Sequence, residues 1–239
     1  MNSTRFPDKP LKPILGRSMI EHVYRRTQMC DLLDSVYVAT CDEAIRNTVE
    51  NFGGRVIMTS NSHERASDRV AEAAEHLQSD IVLMVQGDEP MITPQMIEAS
   101  LAPMIRDSSV ECVNLIKRIL DSKEFYDPNT IKVVMNAKGE ALYFSRNPIP
   151  AVDFASDDRV PVFKQVCVIP FSRKFLKKFY NLPQTLLERA ESIDMLRAVE
   201  HGLQINLVET DAETHAVDTF EDLILVENLM KDDPLISKY

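Results

Sequence analysis

Glycine is scarce, with six residues in 239, well under the usual ~7%. That shortage excludes a glycine-rich phosphate loop of either the GxGxxG or the GxxxxGKS/T kind, each of which needs glycines clustered in one turn. Long apolar runs are missing as well. No stretch reaches the roughly 18–20 apolar residues that cross a bilayer, and no leader pattern opens the chain. Basic residues are outnumbered, 27 Lys and Arg against 37 Asp and Glu, for a net charge of −10. That sign argues against a general surface for nucleic acid or anionic membrane, while a local basic pocket is compatible with it. Cys30, Cys41, Cys112 and Cys167 form no CxxC pair and no Cys/His cluster, so neither a zinc site nor a disulfide framework is predicted. They read as reduced thiols of a cytoplasmic protein. The five histidines are scattered, and no Gly-x-Ser-x-Gly elbow marks a hydrolase nucleophile.

What is present is an ordinary globular mix, 44% hydrophobic and 27% charged in 27.2 kDa, enough for a substantial core. The first half alternates helix-like and strand-like stretches. Apolar spacing predicts helices over 17–29, 42–52, 67–77 and 94–106, and strands over 35–40, 55–58 and 81–85. Gly53-Gly54 is a stop signal, and Thr93 is a good N-cap before Pro94. Alternation of this length implies an α/β fold with parallel strands and crossover helices on both faces. The second half predicts strands over 109–116, 131–136, 140–145 and 164–171, with a hairpin turn at Ala137-Lys138-Gly139. Residues 151–163 read as a polar, mobile loop. Helices over 172–180 and 188–201, a strand over 204–209 and a helix over 219–231 close the chain. We expect one domain over 1–239 with a small antiparallel lobe, for substrate or dimer contacts, inserted within 110–203.

Three stretches could carry chemistry. In Ser3–Leu11, Arg5 and Lys9, with Lys12 after them, are interleaved with prolines 7, 10 and 13 ahead of a helix. Proline stiffens such a loop, and cations beside a helix N-terminus can bind a triphosphate; the same stretch also reads as a solvated tail. Gln86-Gly87-Asp88-Glu89-Pro90 follows directly on the apolar strand 81–85. Ligands of open α/β sheets bind beyond strand carboxyl ends, and a carboxylate there can hold Mg²⁺ together with phosphate oxygens and water. An acidic strand–helix turn is the plainer alternative. Asp218, before the last helix, reads by itself as an N-cap, yet two aspartates at separate strand ends also make a metal pair for phosphoryl transfer.

Taken in order, these stretches resemble the CMP-KDO synthetase (3-deoxy-manno-octulosonate cytidylyltransferase) family. The matching residues are STRFPDKPL at 3–11, Met19-Ile20-Glu21-His22-Val23-Tyr24, Val38-Ala39-Thr40, Phe52-Gly53-Gly54 and Met58-Thr59-Ser60. They continue with Asp68-Arg69, Val85–Pro90, Ala141–Arg146 and Val217-Asp218-Thr219. The resemblance runs almost end to end. It implies a Rossmann-like, mostly parallel sheet of the nucleotide-diphospho-sugar transferase type with a small inserted antiparallel lobe. It also implies transfer of CMP from CTP to a small acidic sugar, KDO or a close relative, with release of pyrophosphate. Catalysis then falls to Asp88, Lys9 and Asp218, with Mg²⁺ on Asp88 and Asp218. Arg5, Lys9, Thr40, Arg69 and Gln86 would contact the nucleotide, and Arg146, Gln165 and Glu188 would contact the acceptor. A cytoplasmic homodimer serving lipopolysaccharide synthesis follows by the same resemblance.

Four departures accompany it. The family opens with a strand ending in Ala-Arg ahead of the position of Met1, so poor stability and weak activity are expected of a chain that begins here. Asp8 stands at the glycine of a Pro-Gly-Lys turn, and Arg65-Ala66-Ser67 replaces Ser-Gly-Thr. Cys41 replaces an aspartate. In the family's His-x-Gly-x-Tyr-x-Tyr strand, Gln165 takes the histidine position, and Ile169 and Phe171 take those of the tyrosines. Loss of those hydrogen-bonding groups weakens discrimination among acceptors. Two alternatives follow: cytidylyl transfer to another acid, an ulosonate or a phosphonate, or an inactive relative that only binds.

Overall fold

The structure, a computed structural model, describes residues 6–152 and 160–239. In chain order its regular elements begin with β1 (Pro13–Ile14), β2 (Arg17–Ser18), α1 (Met19–Gln28), β3 (Val38–Thr40), α2 (Glu43–Asn51) and β4 (Val56–Met58). Next come α3 (Ala66–Glu75), β5 (Ile81–Val85), α4 (Pro94–Arg106), β6 (Val113–Arg118), α5 (Ser122–Tyr126), β7 (Lys132–Met135) and β8 (Ala141–Ser145). The last are β9 (Phe163–Val166), β10 (Val168–Ser172), α6 (Arg173–Tyr180), α7 (Leu186–Glu191), α8 (Met195–Glu200), β11 (Asn206–Glu209) and α9 (Phe220–Lys231). The fold is α/β, as the alternation of the sequence predicts. The chain forms two compact units, one of 1–77, 85–98 and 213–239, the other of 78–84 and 99–212.

In the first unit β3 and β4 pair in parallel, Val38 opposite Val56, with α2 as the crossover. Asp42 starts α2 by accepting from the N–H groups of Ala44 and Ile45, which satisfies two of the helix's open donors. Gly53-Gly54 ends the helix: Gly53 takes a left-handed φ of 81°, and a Cβ on Gly54 would meet Val49 Cγ1 at 2.6 Å. Ile45 and Val49 then pack on Ile20 of α1. A second cluster joins Ile14, Met19, Met91 and Val217 to Leu223, Val226 and Met230 of α9. That cluster draws together parts of the chain from both its ends, and it is the base on which the candidate site stands. The β1–β2 hairpin has no counterpart in the sequence reading; its turn is held by Leu15 N–H donating to Glu227 of α9 at 2.9 Å.

The second unit carries a five-stranded sheet in the order β11-β6-β9-β7-β8. The β11–β6 pair is parallel, and the pairs β6–β9, β9–β7 and β7–β8 are antiparallel. The predicted hairpin turn joins β7 to β8, with Gly139 at φ 78°. Strand β5 pairs with β10. Two sequence expectations change here. The single strand over 164–171 is two strands, because the chain leaves β6 and β7 at Val166 and joins β5 after Cys167. A continuous apolar run cannot reveal such a change of partner. The single helix over 188–201 is also two, since Ser192 adopts φ 56° and ends α7. Of the polar stretch 151–163, residues 153–159 lie outside the described residues.

Candidate active site

In the first unit a tight turn brings Lys9 inward. Asp8 takes a left-handed conformation, φ 54° and ψ 26°, and its carbonyl accepts from Leu11 N–H at 2.9 Å. Lys9 Nζ then donates to Asp88 Oδ2 at 2.8 Å and to Asp218 Oδ1 at 3.2 Å. Asp88 lies three residues beyond the end of β5, and Asp218 lies two residues before α9. A main-chain bond fastens the two segments together, Val217 N–H to the Asp88 carbonyl at 2.9 Å. Next to it, buried Glu89 accepts from Thr214 Oγ1 at 2.9 Å. All three charged groups are partly buried, with side chains 13%, 21% and 27% exposed for Lys9, Asp88 and Asp218. Burial pulls the Lys9 ammonium down, but the two carboxylates outweigh it and hold it above the usual lysine range.

Asp218 is not the N-cap of α9. Thr219 is, accepting from Asp222 N–H through Oγ1, while Asp222 Oδ2 accepts in return from the N–H groups of Thr219 and Asp218. This reciprocal cap leaves the Asp218 carboxylate free to face Asp88. Two carboxylates aimed at one cation at 2.8 and 3.2 Å form an arrangement that fits Mg²⁺, which takes one or two carboxylates and completes its shell with phosphate oxygens and water. Among the described residues no three His, Cys, Asp or Glu side chains gather to hold a metal by themselves. A protein-only cage is therefore not the arrangement found there.

The other residues of this unit that the resemblance puts on the nucleotide side play different parts. Arg69 of α3 donates through Nη1 to Thr59 Oγ1 at 2.6 Å and to the Ser60 carbonyl at 3.1 Å, and through Nη2 to the His63 carbonyl at 3.3 Å. Those bonds pin the loop after β4. Thr40 is buried, and its Oγ1 accepts from Asp42 N–H at 3.1 Å, so it shapes the turn into α2. Gln86 is half-buried directly after β5. Arg5 lies outside the described residues.

In the second unit Arg146 follows β8. Its Nε donates to the Glu191 carbonyl at 2.7 Å, Nη1 to the Pro128 carbonyl at 3.0 Å and Nη2 to the Ser192 carbonyl at 3.4 Å. A guanidinium has five N–H groups, so two remain, one on each terminal nitrogen. Gln165 on β9 donates through Nε2 to Asn114 Oδ1 at 2.6 Å, and buried Asn114 donates to the Val166 carbonyl at 2.9 Å. Glu188 has a different place from the acceptor-side one expected of it. It is fully buried, and Oε1 and Oε2 accept from Arg197 Nη2 at 2.6 Å and Nε at 2.9 Å. A carboxylate closed into that bidentate pair between α7 and α8 has a structural role. Sequence reading passed over Asn114, Glu191 and Lys132. Lys132 left a trace, as a lone cation within an apolar strand.

Known proteins resemble this chain over most of its length. The cytidylyltransferase family model matches residues 1–205. The 3-deoxy-manno-octulosonate cytidylyltransferase of Geobacter metallireducens is 43% identical over 230 residues, covering 92% of this chain and 91% of the relative. The chain belongs to the 3-deoxy-manno-octulosonate cytidylyltransferase family. The enzyme of that name from Syntrophotalea carbinolica is 44% identical, covering 94% of this chain and 93% of its own. Among solved structures, CMP:2-keto-3-deoxy-manno-octonic acid synthetase complexed with CTP superposes with a TM-score of 0.88 at 38% identity, covering 97% of this chain and 95% of that one. The 4-diphosphocytidyl-2C-methyl-D-erythritol synthase of Anaerococcus prevotii, at 14% identity and a TM-score of 0.63 with 93% of each chain covered, shares the fold. A cytidylyltransferase architecture thus underlies the paired aspartates and the lysine between them.

Proposed function

We propose that this protein transfers CMP from CTP to 3-deoxy-manno-octulosonate and releases pyrophosphate. The observation that carries the reading is the convergence of Asp88 and Asp218 on the single cation of Lys9. In the reaction a sugar hydroxyl oxygen forms a bond to the α-phosphorus and gives up its proton to solvent. The bond from that phosphorus to the β-phosphate bridge breaks, and pyrophosphate leaves with the electron pair. Such a transfer asks the protein for positioning and charge neutralisation. Asp88 and Asp218 would hold Mg²⁺, and Lys9 and Arg5 would contact the triphosphate. The chemistry supplied by an ion held there would be neutralisation of phosphate charge and a more acidic attacking hydroxyl. Arg69 and Thr40 keep the nucleotide-side loops in shape, Gln86 contacts the base or ribose, and Arg146 receives the acceptor's carboxylate through its two remaining N–H groups.

The enzyme works as a cytoplasmic homodimer in lipopolysaccharide synthesis. No helix of the described residues is long and apolar enough to cross a membrane. A second reading, a different ulosonate as acceptor, is favoured by one feature: Ile169 and Phe171 are buried apolar side chains where phenol hydroxyls are expected. Steady-state comparison of KDO with other ulosonates separates the two. Asp88→Asn tests the shared chemistry. We expect pyrophosphate release to fall on the order of 10²–10⁴-fold, the worth of several kcal/mol of metal stabilisation, with an unchanged melting temperature. Retained turnover would remove Asp88 as a metal ligand.

A further inference from the structure

In the second unit a buried ammonium touches no carboxylate. Lys132 on β7 has no solvent exposure, and its Nζ donates to three main-chain carbonyls, those of Arg146 at 2.5 Å, Thr130 at 2.6 Å and Asp127 at 2.8 Å. Burial of a charge is costly unless each of its donors is met. Here three N–H groups meet three oxygens, the full complement of a charged lysine. A methionine would fill similar space without that desolvation cost, but it could not tie the 127–130 loop to the turn after β8.

That turn is held from a second side by Glu191. Its carboxylate accepts from Ser145 Oγ at 2.8 Å and from Arg146 N–H at 2.8 Å, while its carbonyl takes Arg146 Nε. The Arg146 carbonyl sits on Lys132, its amide on Glu191, and its guanidinium on three further carbonyls. So many ties to one turn serve to aim what is left over, the two unused N–H groups of the guanidinium.

We propose that Lys132 is a positioning residue whose buried ammonium locks the Arg146 turn, and that acceptor binding depends on this lock while CTP binding does not. The proposal rests on the reading of Arg146 as the group that receives the acceptor's carboxylate. The lock needs the charged form. A neutral amine has two N–H groups and a lone pair, so one of the three carbonyls would face that lone pair and be repelled. Burial brings Lys132 down to about 8, with Asp127 opposing, Arg146 adding to the fall and Glu191 opposing. Its neighbour across the sheet, Lys164 on β9, is paired with Glu124. The lock therefore opens above about pH 8. Stability moves the other way. The unfolded chain holds this proton up to ~10.4, so the group's contribution to stability rises with pH between the two values. A lysine with a merely structural role would not drive acceptor use and stability apart.

The test compares wild type, Lys132→Met and Arg146→Lys as purified enzymes, with KDO and CTP as probes. For Lys132→Met we expect the KM for KDO to rise about tenfold, the worth of one lost charged hydrogen bond, with the CTP-induced rise in Tm unchanged. In wild type the KM for KDO should climb between pH 8 and 9.5, and the variant should lose that climb. An unchanged KM for KDO in Lys132→Met while Arg146→Lys raises it would overturn the lock and spare Arg146. An unchanged KM in Arg146→Lys would overturn the reading of Arg146 itself. Equal losses for KDO and CTP in Lys132→Met would also overturn the proposal. Should that variant not fold, the wild-type profile decides: a climb supports the lock, and a flat KM across pH 7 to 9.5 overturns it.

Discussion

Asp8 shows how much one backbone angle can say. Its φ of 54° is a conformation that L residues adopt at a cost of roughly 1–2 kcal/mol, with Asp and Asn the least penalised after glycine. It stands where the family resemblance calls for glycine, so the angle belongs to the turn and the aspartate tolerates it. Asp8→Gly should relieve that strain while adding freedom to the unfolded chain, for a net gain of about 0.5–1 kcal/mol in urea denaturation. It also removes a negative charge next to Lys9, so the KM for CTP should fall in the same variant. His22 makes a second case. It is fully buried, with Nε2 on the Ile14 carbonyl at 2.8 Å and Nδ1 on the Tyr239 hydroxyl at 2.7 Å. The carbonyl can only accept, so Nε2 carries the hydrogen and the phenol donates to Nδ1. Burial lowers His22 from its usual range, the Ile14 bond partly opposes it, and Arg26 and Arg17 add to the fall. Its native value lies below the unfolded one, so its stability contribution is intact above pH ~6.5 and declines as acid protonates the unfolded chain first. Unfolding midpoints measured from pH 8 to pH 5 should fall below about 6.5, and His22→Asn should flatten that fall.

At the scale of elements, two helix boundaries set the surroundings of Asp218 and Glu188. The reciprocal cap of Thr219 and Asp222 starts α9 and so releases Asp218 toward Asp88. Thr219→Ala should cost about 1 kcal/mol of stability, and Asp218 should then be drawn toward the open N–H groups. Pyrophosphate release should fall more than the stability loss accounts for, which assays well below the melting temperature can show. The break at Ser192 turns one expected helix into α7 and α8, and the Glu188–Arg197 pair bridges them. Removal of one partner from a buried pair strands the other charge, at about 3–5 kcal/mol. Glu188→Gln should therefore lower the urea midpoint sharply while the KM for KDO of the folded fraction stays as in wild type. A raised KM at retained stability would return Glu188 to the acceptor side.

For the whole molecule, charge sets the terms of binding. A chain of net charge −10 attracts a triphosphate only through local cations and a metal. CTP should raise the melting temperature with Mg²⁺ present and should lose that effect with EDTA. Saturation at a hundred times Kd corresponds to about 2.7 kcal/mol. Stabilisation undiminished by EDTA would mean that Lys9 and its neighbours bind the nucleotide without metal.

The order of helices and strands was legible in the residues because those signals are local. Helical spacing, Gly53-Gly54 and the run 81–85 each span a few residues, and that run already put Asp88 just beyond the end of a strand. The resemblance across STRFPDKPL, QGDEP and VDT supplied the family. What only the tertiary structure decided lies between residues distant in sequence. Lys9 is 79 residues from Asp88 and 209 from Asp218, and no periodicity reaches that far. The switch of partners at Cys167, the enclosure of Glu188 by Arg197 and the three carbonyls on Lys132 are likewise outcomes of packing. A side chain's chemistry is written in its type, but whether it faces a ligand or a neighbour depends on which segments fold against it.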